Sequence, residues 1–445
     1  MPGYDIWTIG CQMNKADSAR IASYLERSGY QPSPRAEDAS IIVLNSCVVR
    51  QSAESRVVNK LDALKSLKKA ANPLIILTGC MVGPRTDGLK RRFPHVDLFL
   101  RPQRFPELAQ FLVSRGLAAE GPDPASILPV ATTSAFVPII EGCDNFCSYC
   151  IVPYRRGRER SRPLQEVVAE VECLVSRGTK EVILLGQNVN SYGHDLPHRP
   201  DLARLLTELQ DVDRLSRIRM VTSHPKDMSA RLIDAMAGLD KVCEHLSLPF
   251  QAGDNRVLHA MRRGYTIEHY RTLVRRIRDA VPGVALSTDV IVGFPGETRE
   301  QFRRTLDTLE QLRFDTVHVA AYSPRAGTVA ARKLIDDVPQ HEKRRWRQAI
   351  EQLQEGIARE INARLIGTKV EVLVEGRRNG KWWGRTRGDK LVFFEDDANR
   401  VGQLVTLTVE RTGPWSLQGR VYGDRGAEAL PRVAVAASSP HSRQG

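Results

Sequence analysis

Three absences narrow what this 445-residue chain can be. No apolar run approaches the ~18 residues that a membrane span needs, so no membrane partner is expected. The opening MPGYDIWTIG has neither the basic nor the apolar region of a secretory signal. A cytoplasmic protein is therefore expected, in a compartment where thiols stay reduced and available to metals. The third absence is local. Beside the cysteine-rich loop EGCDNFCSYC there is no obvious fourth thiol or imidazole, whereas a structural zinc ion almost always takes four ligands.

What is present is two sets of three cysteines. Cys143, Cys147 and Cys150 share that loop with C-x3-C-x2-C spacing. Three thiolates can hold a [4Fe–4S] cube and leave one iron open to another molecule. Cys11, Cys47 and Cys80 are far apart in sequence, yet each ends an apolar, β-rich run: DIWTIGC, IIVLNSC and LIILTGC. Such runs read as buried parallel strands. Strands that all point one way bring their ends to one crest, so these three thiols are expected to form a second site. Two three-thiol sites point to iron–sulfur chemistry, with two [4Fe–4S] clusters. A zinc knuckle in a non-catalytic RNA-binding protein and a redox relay are the alternatives. Cys173, in a helical pattern, and Cys243, before a strand, read as packing residues.

Charge points to the partner. Lys and Arg outnumber Asp and Glu by 65 to 52, a net charge of +13, which favours a polyanion and nucleic acid first. The pattern along the chain divides it. Residues 3–118 alternate strand and helix, as a doubly wound, flavodoxin-like α/β domain does, and Asn14 is placed to cap the first helix. A Gly/Pro/Ala/Ser-rich stretch reads as a linker. Residues 129–360 contain six strand-like runs, each followed by helix, which suits a partial (β/α)6 barrel with its chemistry at the strands' C-terminal ends. Residues 363–426 hold five short strands and read as a small β-barrel. There Trp382, Trp383, Arg385 and Arg387 combine stacking and cationic groups, as RNA-binding barrels do. The tail, 427–445, has a disordered composition.

C-x3-C-x2-C between a first barrel strand and an arginine-rich loop resembles the signature of the radical S-adenosylmethionine enzymes. GCQMNKADS, LNSCVVR, LTGC, EGCDNFCSYCIVPYRRGRERSRP, LLGQNVNSYG, TSHPKD, STDVIVGFPGET and YSPRAGT narrow the likeness to the methylthiotransferases over nearly the whole chain. The small terminal barrel is similar to that family's TRAM domain. GQNVNSYG with GRERSRP and TSHP most resembles the MiaB branch.

The resemblance implies a tRNA-modifying transferase that puts a methylthio group on C2 of N6-dimethylallyladenosine next to the anticodon. Related branches act on threonylcarbamoyladenosine or on a ribosomal protein aspartate. An aromatic C–H bond is not acidic, so no side-chain base can remove that hydrogen and a cofactor radical must. By resemblance, Cys143, Cys147 and Cys150 hold the cluster that cleaves S-adenosylmethionine to a 5′-deoxyadenosyl radical. Cys11, Cys47 and Cys80 hold the cluster that carries the sulfur. Two S-adenosylmethionine molecules serve each turnover, one as radical source and one as methyl donor. No side chain beyond the cluster ligands is expected to be catalytic.

Gly186, Gln187, Asn188, Gln251, Ile291 and Gly293 are expected to contact S-adenosylmethionine. His224 reads as a turn residue rather than a ligand. Arg155, Arg156, Arg158, Arg160 and Arg162 are expected to meet tRNA phosphates. Such an enzyme also needs an electron donor and a sulfur donor, and is expected to be a monomer.

Overall fold

The computed structural model describes residues 1–48, 51–102, 104–119 and 128–423. The proposed tail and part of the linker therefore lie outside the described residues.

The N-terminal domain runs β1 (Gly3–Thr8), α1 (Gln12–Arg27), β2 (Gln31–Pro32), β3 (Ile41–Ser46), α2 (Gln51–Ala71), β4 (Leu74–Gly79), α3 (Asp87–Arg92), β5 (Leu98–Phe99) and α4 (Phe105–Ser114). Its sheet has the order β2-β1-β3-β4-β5, with every pairing parallel. Alternation along β3 and β4 explains why both read as unbroken apolar runs. Ile41, Val43, Leu74 and Ile76 pack with Ile21, Leu25 and Leu108 on one face. Ile42, Leu44, Ile75 and Leu77 pack with Val57, Leu61 and Leu64 on the other. Both faces are covered, so both sets of side chains must be apolar.

The central domain comprises β6 (Ser134–Pro138), β7 (Ile140–Glu141), α5 (Val152–Arg156), β8 (Arg160–Ser161), α6 (Leu164–Ser176), β9 (Glu181–Leu185), α7 (Leu202–Gln210), β10 (Arg217–Met220), α8 (Ala230–Gly238), β11 (His245–Ser247), α9 (Asn255–Ala260), α10 (Ile267–Ala280), β12 (Ala285–Val292), α11 (Arg299–Leu312), β13 (Thr316–Ala321), α12 (Val329–Lys333) and α13 (Gln340–Ala363). β6, β9 and β10 form one parallel sheet and β11, β12 and β13 another. A parallel bridge, Ile218 to Val242, links them, and the Ser223 amide donates to the Ser247 carbonyl at 3.2 Å. Among the described residues β6 and β13 do not pair, so the six strands make an open barrel. Two of its long helices carry side-chain N-caps, Thr266 on α10 and a Thr298–Gln301 capping box on α11, which satisfy otherwise orphaned amides.

The first two domains share a core: Met13 and Ala16 of α1 pack on Leu185, with Phe136, Ile183 and Val221 around them. Arg20 adds a 2.8 Å ion pair to the buried Glu170.

The C-terminal domain is a closed five-stranded barrel, β14 (Lys369–Arg378), β15 (Lys381–Thr386), β16 (Leu391–Phe394), β17 (Leu404–Thr412) and β18 (Leu417–Val421), in the order β14-β15-β16-β18-β17. Its 386–390 turn is seated against the strand starts of the central domain. Arg219 of β10 donates to the Thr386 and Arg387 carbonyls, Arg387 forks onto Glu244, and Lys390 reaches Asp315 at 2.7 Å. Arg217, fully buried, donates to the carbonyls of Arg385 and Glu371.

These contacts correct two RNA-binding expectations. Trp382 is 5% exposed in the barrel core and its indole N–H donates to the Asp396 carbonyl at 2.8 Å. Arg387 is spent on Glu244 and the Val242 carbonyl. Both look like a nucleic-acid surface in sequence because the barrel closure that turns Trp382 inward and the docking that engages Arg387 are tertiary facts. Arg385 pairs with Glu375 and Asp389, and Trp383 is half-buried beside Gly376.

Candidate two-cluster site

Cys11, Cys47 and Cys80 each follow one of three adjacent strands, β1, β3 and β4. The backbone there is drawn tight. The Cys80 amide donates to the Ser46 carbonyl at 2.8 Å, and a β-carbon added at Gly10 would fall 2.9 Å from the Cys47 Cβ. Gly79 adopts φ +88°, and a β-carbon there would lie 2.2 Å from the Ser46 carbonyl oxygen, so only glycine lets the strand deliver Cys80 at this point. Cys11 itself occupies the N-cap of α1, with no side-chain bond of the usual capping kind. Asn14 is not the cap. It lies buried in the first turn, donates to Asn45 Oδ1 at 2.7 Å and the Ser46 carbonyl, and accepts from Cys11 Sγ at 3.3 Å. It ties the helix to the end of β3.

The tight triplet is held by long-range bonds rather than by secondary structure. Gly142 adopts φ +74°, and a β-carbon would meet the Arg158 carbonyl oxygen at 2.0 Å. Its amide donates to Gln187 Oε1 at 2.6 Å. Ser148 donates from both its amide and its hydroxyl, to the carbonyls of Met261 and Ala260. Arg263, buried, donates from Nη1 to Cys147 Sγ at 3.4 Å, from Nε to the Tyr265 hydroxyl and from Nη2 to the Pro249 carbonyl. Burial pushes the Cys143 thiol up to about 11 and that of Cys150 up to about 12, with the neighbouring Cys147 sulfur adding to the latter.

One cavity of about 600 Å³ is lined by the whole tight triplet and by one member of the dispersed one. Cys11, Cys143, Cys147 and Cys150 all line it. Cys47 and Cys80 are buried, next to Cys11. Among the described residues no three His, Cys, Asp or Glu groups converge closely enough to hold a single metal ion. All three cysteines of the tight triplet line the cavity, and a donor set made only of sulfur is the kind that holds an iron–sulfur cluster.

Of the residues expected to bind S-adenosylmethionine, Gly186, Gln187, Gln251 and Ile291 line the cavity. Asn188 and Gly293 do not. The Asn188 side chain donates to Asp227 at 2.7 Å, and the Gly293 amide donates to the buried Glu297.

Three lining residues keep buried polar atoms without a partner: Ser223 Oγ, His224 Nε2 and Gln251 Oε1. His224 was expected only as a turn residue, and it does cap the 225–227 turn. Its Nδ1 accepts from the Lys226 amide at 3.2 Å, so the ring hydrogen sits on Nε2. Burial pushes its pKa down to about 2, with Arg263 adding to the effect, so the ring stays neutral. Polar atoms left unpaired at a cavity wall are free to bond a ligand or water.

The arginine cluster splits. Arg158 and Arg160 have largely exposed side chains, while Arg155 lies against Gly83. Arg162 turns inward to Glu170 at 2.6 Å. Arg156 is buried between Cys80 and Asp17, which corrects its assignment to tRNA phosphate. Sequence reasoning missed Arg263 and Arg325 at the cavity, and on the small barrel the exposed Trp415 and Tyr422, the latter under Lys369 Nζ at 3.5 Å. For Trp415, a lone aromatic in a turn, no signal could have found it.

Known proteins share this organisation. Residues 137–309 match the model of the radical SAM superfamily, 4–101 that of the uncharacterized protein family UPF0004, and 363–422 that of the TRAM domain. The tRNA-2-methylthio-N(6)-dimethylallyladenosine synthase of Dehalococcoides mccartyi (strain CBDB1) is 52% identical over 95% of this chain and 99% of its own. That of Roseiflexus sp. (strain RS-1) is 50% identical over 98% and 94%. This chain belongs to the MiaB-type methylthiotransferases. Among solved structures, the radical S-adenosylmethionine methyltransferase TsrM from Kitasatospora setae aligns with a TM-score of 0.53 at 16% identity, over 74% of this chain and 77% of its own. That likeness concerns the fold. As a methylthiotransferase with a radical SAM domain, the chain is a transferase dependent on a [4Fe–4S] cluster and S-adenosylmethionine.

Proposed function

We propose that this chain is a tRNA-2-methylthio-N6-dimethylallyladenosine synthase, with Cys143, Cys147 and Cys150 holding one [4Fe–4S] cluster and Cys11, Cys47 and Cys80 a second. The observation that carries this reading is the single cavity shared by Cys11 and the tight triplet. A sulfur atom and a radical must reach the same carbon, so their carriers must face one chamber. Similarity at about half identity to relatives of that name, over nearly their full length, supports the substrate over a threonylcarbamoylated adenosine or a protein aspartate.

When bound, the clusters supply the electron that cleaves S-adenosylmethionine and the sulfur to be inserted. The protein's part is placement and exclusion. Gln187 pins the start of the tight loop through the Gly142 amide. His224 offers a fixed Nε2–H, and Ser223 and Gln251 offer buried oxygens, a set suited to the hydroxyl and carboxylate groups of S-adenosylmethionine. Leu185, Val221 and Ile291 give the chamber an apolar wall that keeps water from a reactive species.

Arg158 and Arg160, beside the tight loop, are placed to meet tRNA phosphates, with Arg155 behind them. On the small barrel Trp415 and Tyr422 join Trp383 and Arg385 as the RNA-facing groups. Among the described residues no helix is long and apolar enough to cross a membrane. A cytoplasmic monomer served by an electron donor and a sulfur donor fits this reading.

Mass spectrometry of tRNA nucleosides tests the substrate. A deletion strain should lack 2-methylthio-N6-dimethylallyladenosine and regain it with the gene restored. An unchanged level would refute the assignment, and loss of the mark from threonylcarbamoyladenosine instead would transfer it to that branch.

A further inference from the structure

Among the described residues, a guanidinium is hydrogen-bonded to a cysteine sulfur at each triplet. Arg263 reaches Cys147 Sγ at 3.4 Å and belongs to the same domain as its cysteine. Arg156 reaches Cys80 Sγ from Nε, also at 3.4 Å, but it ends α5 of the central domain, while Cys80 ends β4 of the N-terminal one. Its Nη2 meets Asp17 of α1 at 3.2 Å, and both side chains are nearly sealed, at 1% and 7% exposed. A buried guanidinium is costly unless anions compensate it. Asp17 supplies one negative charge, and the Cys80 sulfur is the other polar group on it.

Two other cations stand near this site. Arg20, on the same helix as Asp17, is committed to Glu170. Arg325, from the loop after β13, lines the cavity and pairs with Glu54 of α2 at 3.3 Å. It too comes from the central domain.

We infer that Arg156 is a positioning residue for the N-terminal thiol site, contributed across the domain boundary. It fixes Cys80 and sets the reduction potential of a cluster held by Cys11, Cys47 and Cys80. A hydrogen bond and positive charge at a ligand sulfur favour the more electron-rich state, and so raise the potential. The second site is then electrostatically complete only when the two domains are docked. This inference rests on the two-cluster reading proposed above.

The test uses the full chain with Cys143, Cys147 and Cys150 replaced by Ala, reconstituted anaerobically with iron and sulfide, so that only the second triplet can hold a cluster. Iron content and an EPR-monitored redox titration are the readouts. Arg156→Met is expected to move the midpoint potential to a more negative value, and Arg156→Lys to restore part of the shift. Arg263→Met in the same background is expected to leave it in place. If Arg156→Met strips the iron and Arg156→Lys retains it, the same conclusion follows, because a cation is then needed to hold the cluster. An unchanged potential in an iron-replete Arg156→Met protein overturns the inference. A triple-Ala protein that binds no cluster would instead refute the two-cluster reading, leaving Arg156 aside.

Discussion

Single residues divide the labour between the two thiol sites. Cys147 borders the cavity and accepts from Arg263, whereas Cys47 is buried beside Gly10 in the other domain. Replacing Cys147 with Ala should abolish both S-adenosylmethionine cleavage and tRNA modification. Replacing Cys47 should abolish the product and leave some uncoupled 5′-deoxyadenosine, which chromatography of the reaction mixture detects. Full product from the Cys47 variant would remove the dispersed site from the mechanism.

Two histidines give a residue-scale prediction for pH. Burial pushes His224 down to about 2 and His245 down to about 4, the latter against the pull of Asp389. Both are neutral in the fold, while in the unfolded chain each takes up a proton near pH ~6.5. The unfolded state thus binds more protons below that value, so stability is intact above it and falls as the pH drops. The loss is up to about 1.4 kcal/mol per pH unit for each histidine, for His245 down to about pH 4. Denaturant melts between pH 7.5 and 5.5 should show that slope, and His245→Asn should remove part of it.

At the scale of elements, strand ends matter more than strands. β4 delivers Cys80 only because Gly79 can hold φ +88° against the Ser46 carbonyl. Gly79→Ala should cost on the order of 1–3 kcal/mol and displace Cys80. The expected readout is a lower melting temperature with reduced iron at the second site, while the tight triplet keeps its own. Normal iron at both sites would mean that the turn tolerates a methyl group there.

Much of this scale was legible in advance. Apolar runs ending in cysteine marked β1, β3 and β4, and their parallel order put the thiols together. The role of Asn14 was not legible. A helix-start asparagine reads as a cap, and only the packing of α1 on β3 turns it toward Asn45.

At the scale of the molecule, the small barrel is part of the central domain's floor. Arg217, fully buried, spends its guanidinium on two carbonyls and Glu371 of that barrel. Arg217→Met should leave those acceptors unpaired and cost roughly 2 kcal/mol. Chemical unfolding should then show the C-terminal barrel leaving in an earlier step, and a single unshifted transition would argue against such coupling. The same docking explains why Arg387 misled, while Trp382 was hidden by the barrel's own core. In sequence they carry the chemistry of RNA contact, and in the fold one fills a core and the other an ion pair.

The sequence by itself determined the tight triplet, the three strand-end thiols, the six-strand array and the terminal barrel. Each depends on local spacing or on a periodicity that secondary structure imposes over a few residues. Only the tertiary structure decided that Arg156 serves Cys80 rather than RNA, that His224 is buried at the cavity wall with Nδ1 taken by the Lys226 amide, and that Cys11 shares that cavity with Cys143, Cys147 and Cys150. Those outcomes depend on how three domains dock. Docking brings together residues more than seventy positions apart, such as Cys80 and Arg156, a separation at which one-dimensional pattern carries no information about burial or charge.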